Sequence, residues 1–421
     1  MTAKPNAIVA QSGGPTAVIN SSACGVIQEA IKSNKINRVF GATNGILGVL
    51  KEDLFDITSE NAKTIEALKR TPAAAIGTCR YKLKSLDESR ADYERILEVF
   101  KAHDIHYFFY IGGNDSMDTC DKVNKLAAQT GYDLVCMGVP KTIDNDLACT
   151  DHCPGYGSVA KYVAACAMTA GRDTEASYTT DTCTILEVMG RNAGWIAAAT
   201  GMAHQVGQDA PHLIYLPEAV FSFDKLVTDV KEVVKEFSRV FIVAGEGLKD
   251  EKGEYITADS GQFGKDSFGH AQLGGVAEML KAVIEKEVGI KARFNKLGTN
   301  QRNAMYFASL TDVNEAYMCG QMAVKNAMSG VNGKMVTLVR EDGNEYKCTT
   351  GLAELSDVAN GEKKLPAEFI NDSGNGITEA MKNYVRPLLQ GEAPITVGED
   401  GLPVFMRFER KPLEKKLAKY M

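Results

Sequence analysis

No run of apolar residues in this 421-residue chain approaches the roughly 20 needed to span a membrane, so no membrane partner is expected. The opening Met1-Thr2-Ala3-Lys4-Pro5-Asn6 lacks a signal-peptide profile and leads straight into a short apolar strand. The ten cysteines include no C-x-x-C pair, and Cys149 and Cys153, the closest two, have no second pair at zinc-site spacing. That usage suits reduced thiols and a cytoplasmic location. The six histidines (His103, His106, His152, His204, His212 and His270) show no metal spacing, and none is assigned to catalysis. Positive charge is also short: a net charge of −7 argues against nucleic acid as a partner. No G-x-x-x-x-G-K-[ST] occurs, which excludes a P-loop. Internal repeats and low-complexity segments are missing too.

What remains has an ordinary globular composition, 44% hydrophobic and 24% charged, and a length that suits two or three domains. Short apolar runs alternate with longer amphipathic ones. Ala7–Gln11, Arg38–Ala42, His106–Ile111 and Leu134–Val139 read as strands, with helices over Ala17–Ser33 and Asp118–Gln129. This alternation predicts a parallel sheet covered by helices, with ligands at the carboxyl ends of its strands. A second series, Thr184–Met189, Leu213–Leu216 and Val240–Ala244, predicts a second α/β domain and a site in the cleft between the two. Two alternating runs from Lys334 to Thr350 flank Glu341-Asp342-Gly343-Asn344 and predict a hairpin. The basic tail, Arg407 to Lys419, reads as a solvated helix end or subunit contact. Trp195 and the methionines read as core.

Three loops that follow strands carry the chemistry. Ser12-Gly13-Gly14-Pro15 before a helix can offer backbone N–H groups to phosphate, although a Gly turn that binds nothing looks the same in sequence. Gly112-Gly113-Asn114-Asp115-Ser116 and Pro140-Lys141-Thr142-Ile143-Asp144-Asn145-Asp146 add carboxylates and a lysine. Phosphoryl transfer needs that set: a base for the attacking hydroxyl, a metal, and cations for the phosphate oxygens. If extended, the last segment would project Thr142, Asp144 and Asp146 to one side; turn or capping roles are the plain alternative. Gly190-Arg191 and Glu246 suit a sugar phosphate, and Arg80, Arg293 and Arg302 are further candidate phosphate clamps. Gly155-Tyr156-Gly157-Ser158-Val159-Ala160 matches a relaxed dinucleotide fingerprint, but it follows no strand and reads as a helix start.

The ordered set Gly13-Gly14, Gly77–Arg80, Gly112–Ser116, Pro140–Asp146, Met189–Arg191, Glu246 and Leu297–Arg302 resembles the phosphofructokinase family, from about residue 7 to 305. The resemblance implies two Rossmann-like α/β domains with mostly parallel sheets. One would comprise residues 1–157 plus about 303–390, the other 158–302 plus 391–421. It implies transfer of a phosphoryl group to the 1-hydroxyl of fructose 6-phosphate, with Asp144 as base and Thr142 beside it. Met189, Gly190 and Arg191 would hold the sugar phosphate, Glu246 its hydroxyls and Arg302 its 6-phosphate. Gly14, Arg80 and Ser116 fall at the donor phosphates. ATP-dependent members have glycine where Asp115 and Lys141 stand; aspartate and lysine there imply pyrophosphate. The family's magnesium-binding aspartate is Asn114 here, which shifts the expected Mg2+ ligands toward Asp115 and Asp146. Thr299 replaces a common histidine, and Thr182 replaces an arginine that reaches across a subunit boundary. Cys24 and Gln28 stand where nucleotide-effector arginines would be, so no such control is expected. A homodimer or homotetramer is the family habit. The alternatives are an ATP-dependent phosphofructokinase, a sedoheptulose 7-phosphate kinase using pyrophosphate, a lipid or NAD kinase, and a non-catalytic regulatory subunit.

Overall fold

Two parallel-rich sheets organise the chain. The computed structural model describes residues 4–81, 83–257 and 275–420; His270 lies outside them. The first sheet contains β1 (Asn6–Gln11), β2 (Val39–Ala42), β3 (Leu54–Asp56), β4 (Ile105–Gly112), β5 (Val135–Pro140), β10 (Lys334–Arg340) and β11 (Cys348–Glu354). Their order is β11-β10-β5-β4-β1-β2-β3. The central pairs are parallel, and the two outermost pairings, β2/β3 and β10/β11, are antiparallel. The second sheet is entirely parallel, with β6 (Cys183–Val188), β7 (Leu213–Tyr215), β8 (Val240–Gly245) and β9 (Ala292–Lys296) in the order β7-β8-β6-β9.

Strands β1, β6 and β8 are buried throughout, as their near-continuous apolar runs require of strands covered on both faces. Helices Ile19–Lys32 and Leu310–Met328 lie on one face of the first sheet and approach each other backbone to backbone. A side chain at Gly25 would strike the Tyr317 carbonyl, and one at Gly320 the Ser22 carbonyl. The helix Tyr156–Ser177 begins at the Gly155 turn expected from sequence. Its first N–H groups are capped from far along the chain, because the Asp312 carboxylate accepts from Gly155 N and Ser158 N at 2.8 Å each.

The chain crosses between the lobes more often than expected. Residues 310–360 belong with the first sheet, but Leu365, Met381, Val385 and Leu388 pack with Trp195 in the core of the second lobe. The tail runs the other way. Instead of joining the second lobe or forming a solvated helix end, it is extended along the first: the Phe408 ring packs tilted against Phe55 with centroids 5.6 Å apart, and Leu413 N donates to Leu54 O at 2.9 Å. Apolar residues interleaved with its charges explain both outcomes, since Leu413, Leu417 and Tyr420 cover the first core. Strands β3 and β9 are further additions; both are short edge strands with weak alternation.

Candidate active site

The carboxyl ends of strands from both sheets face one open cleft of about 560 Å³. From the first lobe come the loops after β1, β4 and β5; from the second, those after β6 and β8. This is where open α/β sheets bind ligands, because the chain leaves each strand there as a loop or helix start.

The loop after β1 is held by its neighbour: Thr78 Oγ1 donates to Gly13 O at 2.6 Å and Gly13 N to Cys79 O at 3.1 Å. That pairing brings Arg80 into the cleft beside Gly14. A Cβ on Gly14 would sit 2.9 Å from Arg302 Nη1 and 3.9 Å from Arg80 Nη2, so glycine keeps the two guanidiniums close to the backbone. The helix Asn114–Gln129 starts directly after β4, four residues earlier than the periodicity suggested, and its first turn presents Asn114, Asp115 and Ser116 to the cleft.

Lys141 is buried and donates from Nζ to Gly14 O at 2.8 Å. Thr142 Oγ1 accepts from Asp144 N at 3.0 Å, which curls the segment. Asn145 then takes a left-handed φ of 54°, with its side chain fixed by Tyr384 Oη at 3.0 Å and Cys153 N at 2.9 Å. Thr142, Asp144 and Asp146 do share the cleft, as expected, but through this turn and not through extended alternation.

Burial drives the electrostatics. It raises the Asp144 carboxyl to about 7, aided by the charges of Asp146 and Glu246 and opposed by Lys141 and Arg191. Burial lowers the Lys141 ammonium to about 8, although Asp144 and Asp146 pull the other way. Asp146 is also raised by burial, against its own backbone N–H and the Thr142 hydroxyl. A carboxyl near 7 and an amine near 8 can both exchange protons at neutral pH.

On the second lobe, Met189, Arg191 and Glu246 line the cleft. Gly190 does not line it, but its backbone helps to hold the Glu246 carboxyl down against the burial that raises it. Gln301 Oε1 accepts from Met189 N at 3.0 Å, tying the short helix that carries Arg302 to the end of β6. The buried Nε of Arg302 has no hydrogen-bond partner among the described residues. Two expected residues are elsewhere. Arg293 on edge strand β9 turns away to Asp181 at 2.7 Å and Ser177 Oγ at 3.0 Å, outside the cleft of its own chain. Thr299 is exposed and outside the lining. No described histidine lines the cleft. Asn192 and Glu362 do, and neither stands in a motif that sequence reasoning had marked.

The phosphofructokinase family model matches residues 6–327. A pyrophosphate–fructose 6-phosphate 1-phosphotransferase of Xanthomonas campestris pv. campestris is 48% identical over 413 residues, covering 98% of each chain. The crystal structure of a pyrophosphate-dependent phosphofructokinase from Marinobacter aquaeolei superposes with a TM-score of 0.89 at 44% identity, covering 99% of each chain. One from Nitrosospira multiformis gives 0.90 at 43%, over the full length of both. With its strand-end loops meeting in a single cleft and this likeness running from end to end, the chain belongs to the phosphofructokinase family.

Proposed function

We propose that this chain transfers a phosphoryl group reversibly from pyrophosphate to the 1-hydroxyl of fructose 6-phosphate, giving fructose 1,6-bisphosphate and phosphate. The observation that carries the reading is the shared cleft of Lys141, Asp115 and Asp144. A cation and a carboxylate lie on the donor side of a half-buried carboxyl that exchanges its proton near pH 7. Asp144 takes the proton of the attacking hydroxyl in the forward direction and returns it in reverse. Lys141 and Arg80 stabilise charge on the transferring and leaving phosphates, and Asp115 repels the α-phosphate of a nucleotide. On the acceptor side, Arg191 and Arg302 take the sugar phosphate while Glu246 accepts from sugar hydroxyls.

Enzymes of this family generally use a divalent metal, and the donor set here fits Mg2+, since Asp115 and Asp146 are hard oxygen donors in the donor half of the cleft. When bound, the metal would neutralise charge on the phosphates. The cytoplasm is the proposed location; no described helix is long and apolar enough to cross a membrane, and the cysteines are free thiols. Incubating the purified chain with fructose 6-phosphate and Mg2+, with pyrophosphate or ATP in parallel, tests the reading. Fructose 1,6-bisphosphate is expected with pyrophosphate alone; product with ATP alone would overturn the donor assignment.

A further inference from the structure

Asn145 stands between the two carboxylates of the loop after β5, fully buried and with a left-handed φ of 54°. That conformation is unfavourable for a residue with a Cβ and persists only where its surroundings hold it. Here the side chain is the anchor. Its Oδ1 accepts from Cys153 N at 2.9 Å, and that backbone donor fixes which end of the amide is oxygen. The Nδ2 group therefore faces Tyr384 Oη, at 3.0 Å. Tyr384 Oη gives its single proton to Asp151 O at 2.8 Å, so towards Asn145 it is an acceptor. It is the one hydrogen-bond partner of that Nδ2 among the described residues.

The hydroxyl comes from far away and is itself held. Tyr384 lies on the helix Glu379–Val385, 239 positions from Asn145, beyond the residues 6–327 that the family model matches. Its ring packs against Trp195 and Phe369 with centroids 5.3 and 5.4 Å apart, and the Arg340 guanidinium lies 4.6 Å from its centre. Arg340 Nη2 also donates to Tyr384 O at 3.1 Å. Lys363 Nζ, the other side chain near this amide, reaches Asn145 Oδ1 only at 3.4 Å. Its shorter bonds go to Asp151 O at 2.7 Å and Thr150 O at 3.1 Å. On the other side of Asp144, the Thr142 hydroxyl accepts from Asp144 N at 3.0 Å. The carboxylate is thus steadied within its own loop on one side and by a distant helix on the other.

We propose that Tyr384 is a positioning residue for phosphoryl transfer: its hydroxyl holds Asn145 in the left-handed turn and so keeps the Asp144 carboxylate aimed into the cleft. The proposal rests on the reading above in which Asp144 is the base. It adds a residue that touches no substrate and stands on the second lobe's core.

The test is Tyr384→Phe, which removes the hydroxyl and keeps the ring, measured with pyrophosphate, fructose 6-phosphate and Mg2+. Rates are taken per folded molecule, at a temperature below the melting transition of every variant. A base displaced by a fraction of an ångström should lower kcat by about ten- to a hundredfold, with KM for fructose 6-phosphate within about twofold of wild type. A double-mutant cycle with Asp144→Asn separates positioning from plain destabilisation. If Tyr384 acts through Asp144, then Tyr384→Phe should change the residual rate of Asp144→Asn by less than about twofold. Wild-type kcat in Tyr384→Phe overturns the proposal and leaves the reaction assignment standing. An equal fold-loss in both backgrounds also overturns it, because the hydroxyl would then act independently of the carboxylate. If the wild-type chain forms no fructose 1,6-bisphosphate from pyrophosphate, or Asp144→Asn turns over normally, the reading of the site fails and the proposal falls with it.

Discussion

Asp144 and Lys141 are a carboxyl and an amine drawn toward each other's titration range by the same burial. The pH dependence follows from the signs. The forward reaction needs Asp144 ionised, so kcat/KM for fructose 6-phosphate should rise as pH increases through about 7. It needs Lys141 charged, so the same parameter should fall as pH passes about 8. Initial rates from pH 5 to 10 at fixed free metal would show the bell, and a flat profile across neutral pH would contradict it. Asp144→Asn should lose about 10²–10⁴-fold in rate along with the acidic limb. Because burial raises the Asp144 pKa, the ionised carboxylate costs stability at pH 8, and the Asn variant should melt no lower than wild type there. A variant with near-wild-type turnover would remove Asp144 from the role of base. Much of this was legible in sequence, because Lys141 to Asp146 occupy one short loop whose neighbours in space are its neighbours in the chain. Glu362 was not: its place depends on hydrogen bonds to Asn114, Asp146 and Trp195 that no local pattern encodes. Arg293 stands outside the cleft of its own chain, and sequence could not give its direction, since an arginine on an edge strand reads the same whichever way it faces.

Helix Ile19–Lys32 follows the Ser12–Pro15 loop, and its packing against Leu310–Met328 therefore helps to hold one wall of the cleft. Gly25 and Gly320 let the two backbones touch. Gly320→Ala must push the helices apart and should cost ~1–3 kcal/mol, the usual range for overpacking. Denaturant unfolding would read this as a lower midpoint at unchanged slope; an unaltered midpoint would mean that the pair relaxes freely. Helix Ile19–Lys32 was legible from its periodicity, to within two residues at its ends, whereas Leu310–Met328 had not been read from the sequence. Their contact was not, because a glycine that permits close approach looks in sequence like a glycine that merely tolerates a helix. The second lobe shows the same divide: β6 and β8 announced themselves as apolar runs, whereas Ala292-Arg293-Phe294-Asn295-Lys296 of β9 is exposed at most positions and carries little strand signal.

At the scale of the whole molecule, the two lobes are interleaved by the chain, and the tail closes the first. Glu52 is buried, and its carboxylate accepts from Lys416 N at 2.6 Å, Leu417 N at 3.2 Å and His103 Nε2 at 2.7 Å. Arg95 reaches the same region through Ala418 O at 3.0 Å. Ending the chain after Arg410 would strip Glu52 of two donors and uncover apolar surface, with about 1–3 kcal/mol lost for each buried polar group left unpaired. The truncated protein should melt earlier while turning over normally per folded molecule at low temperature. Loss of turnover without loss of stability would give the tail a direct part in catalysis. This wrapping lay beyond sequence reasoning, because a charged tail with scattered leucines fits a solvated helix as well as a strap.

The turn bearing Asp144 and Asp146 also lies on the covalent path from β5 to the helix Tyr156–Ser177, where the chain passes from one lobe to the other. A point on the axis of a hinge travels least when its leaves swing. Were one lobe to rock on the other, Arg80 and Glu246, on opposite leaves, would move against each other, while Asp144, at a crossing between them, would move less. Substrates could then enter and leave past moving walls while the atom that handles the proton keeps its address.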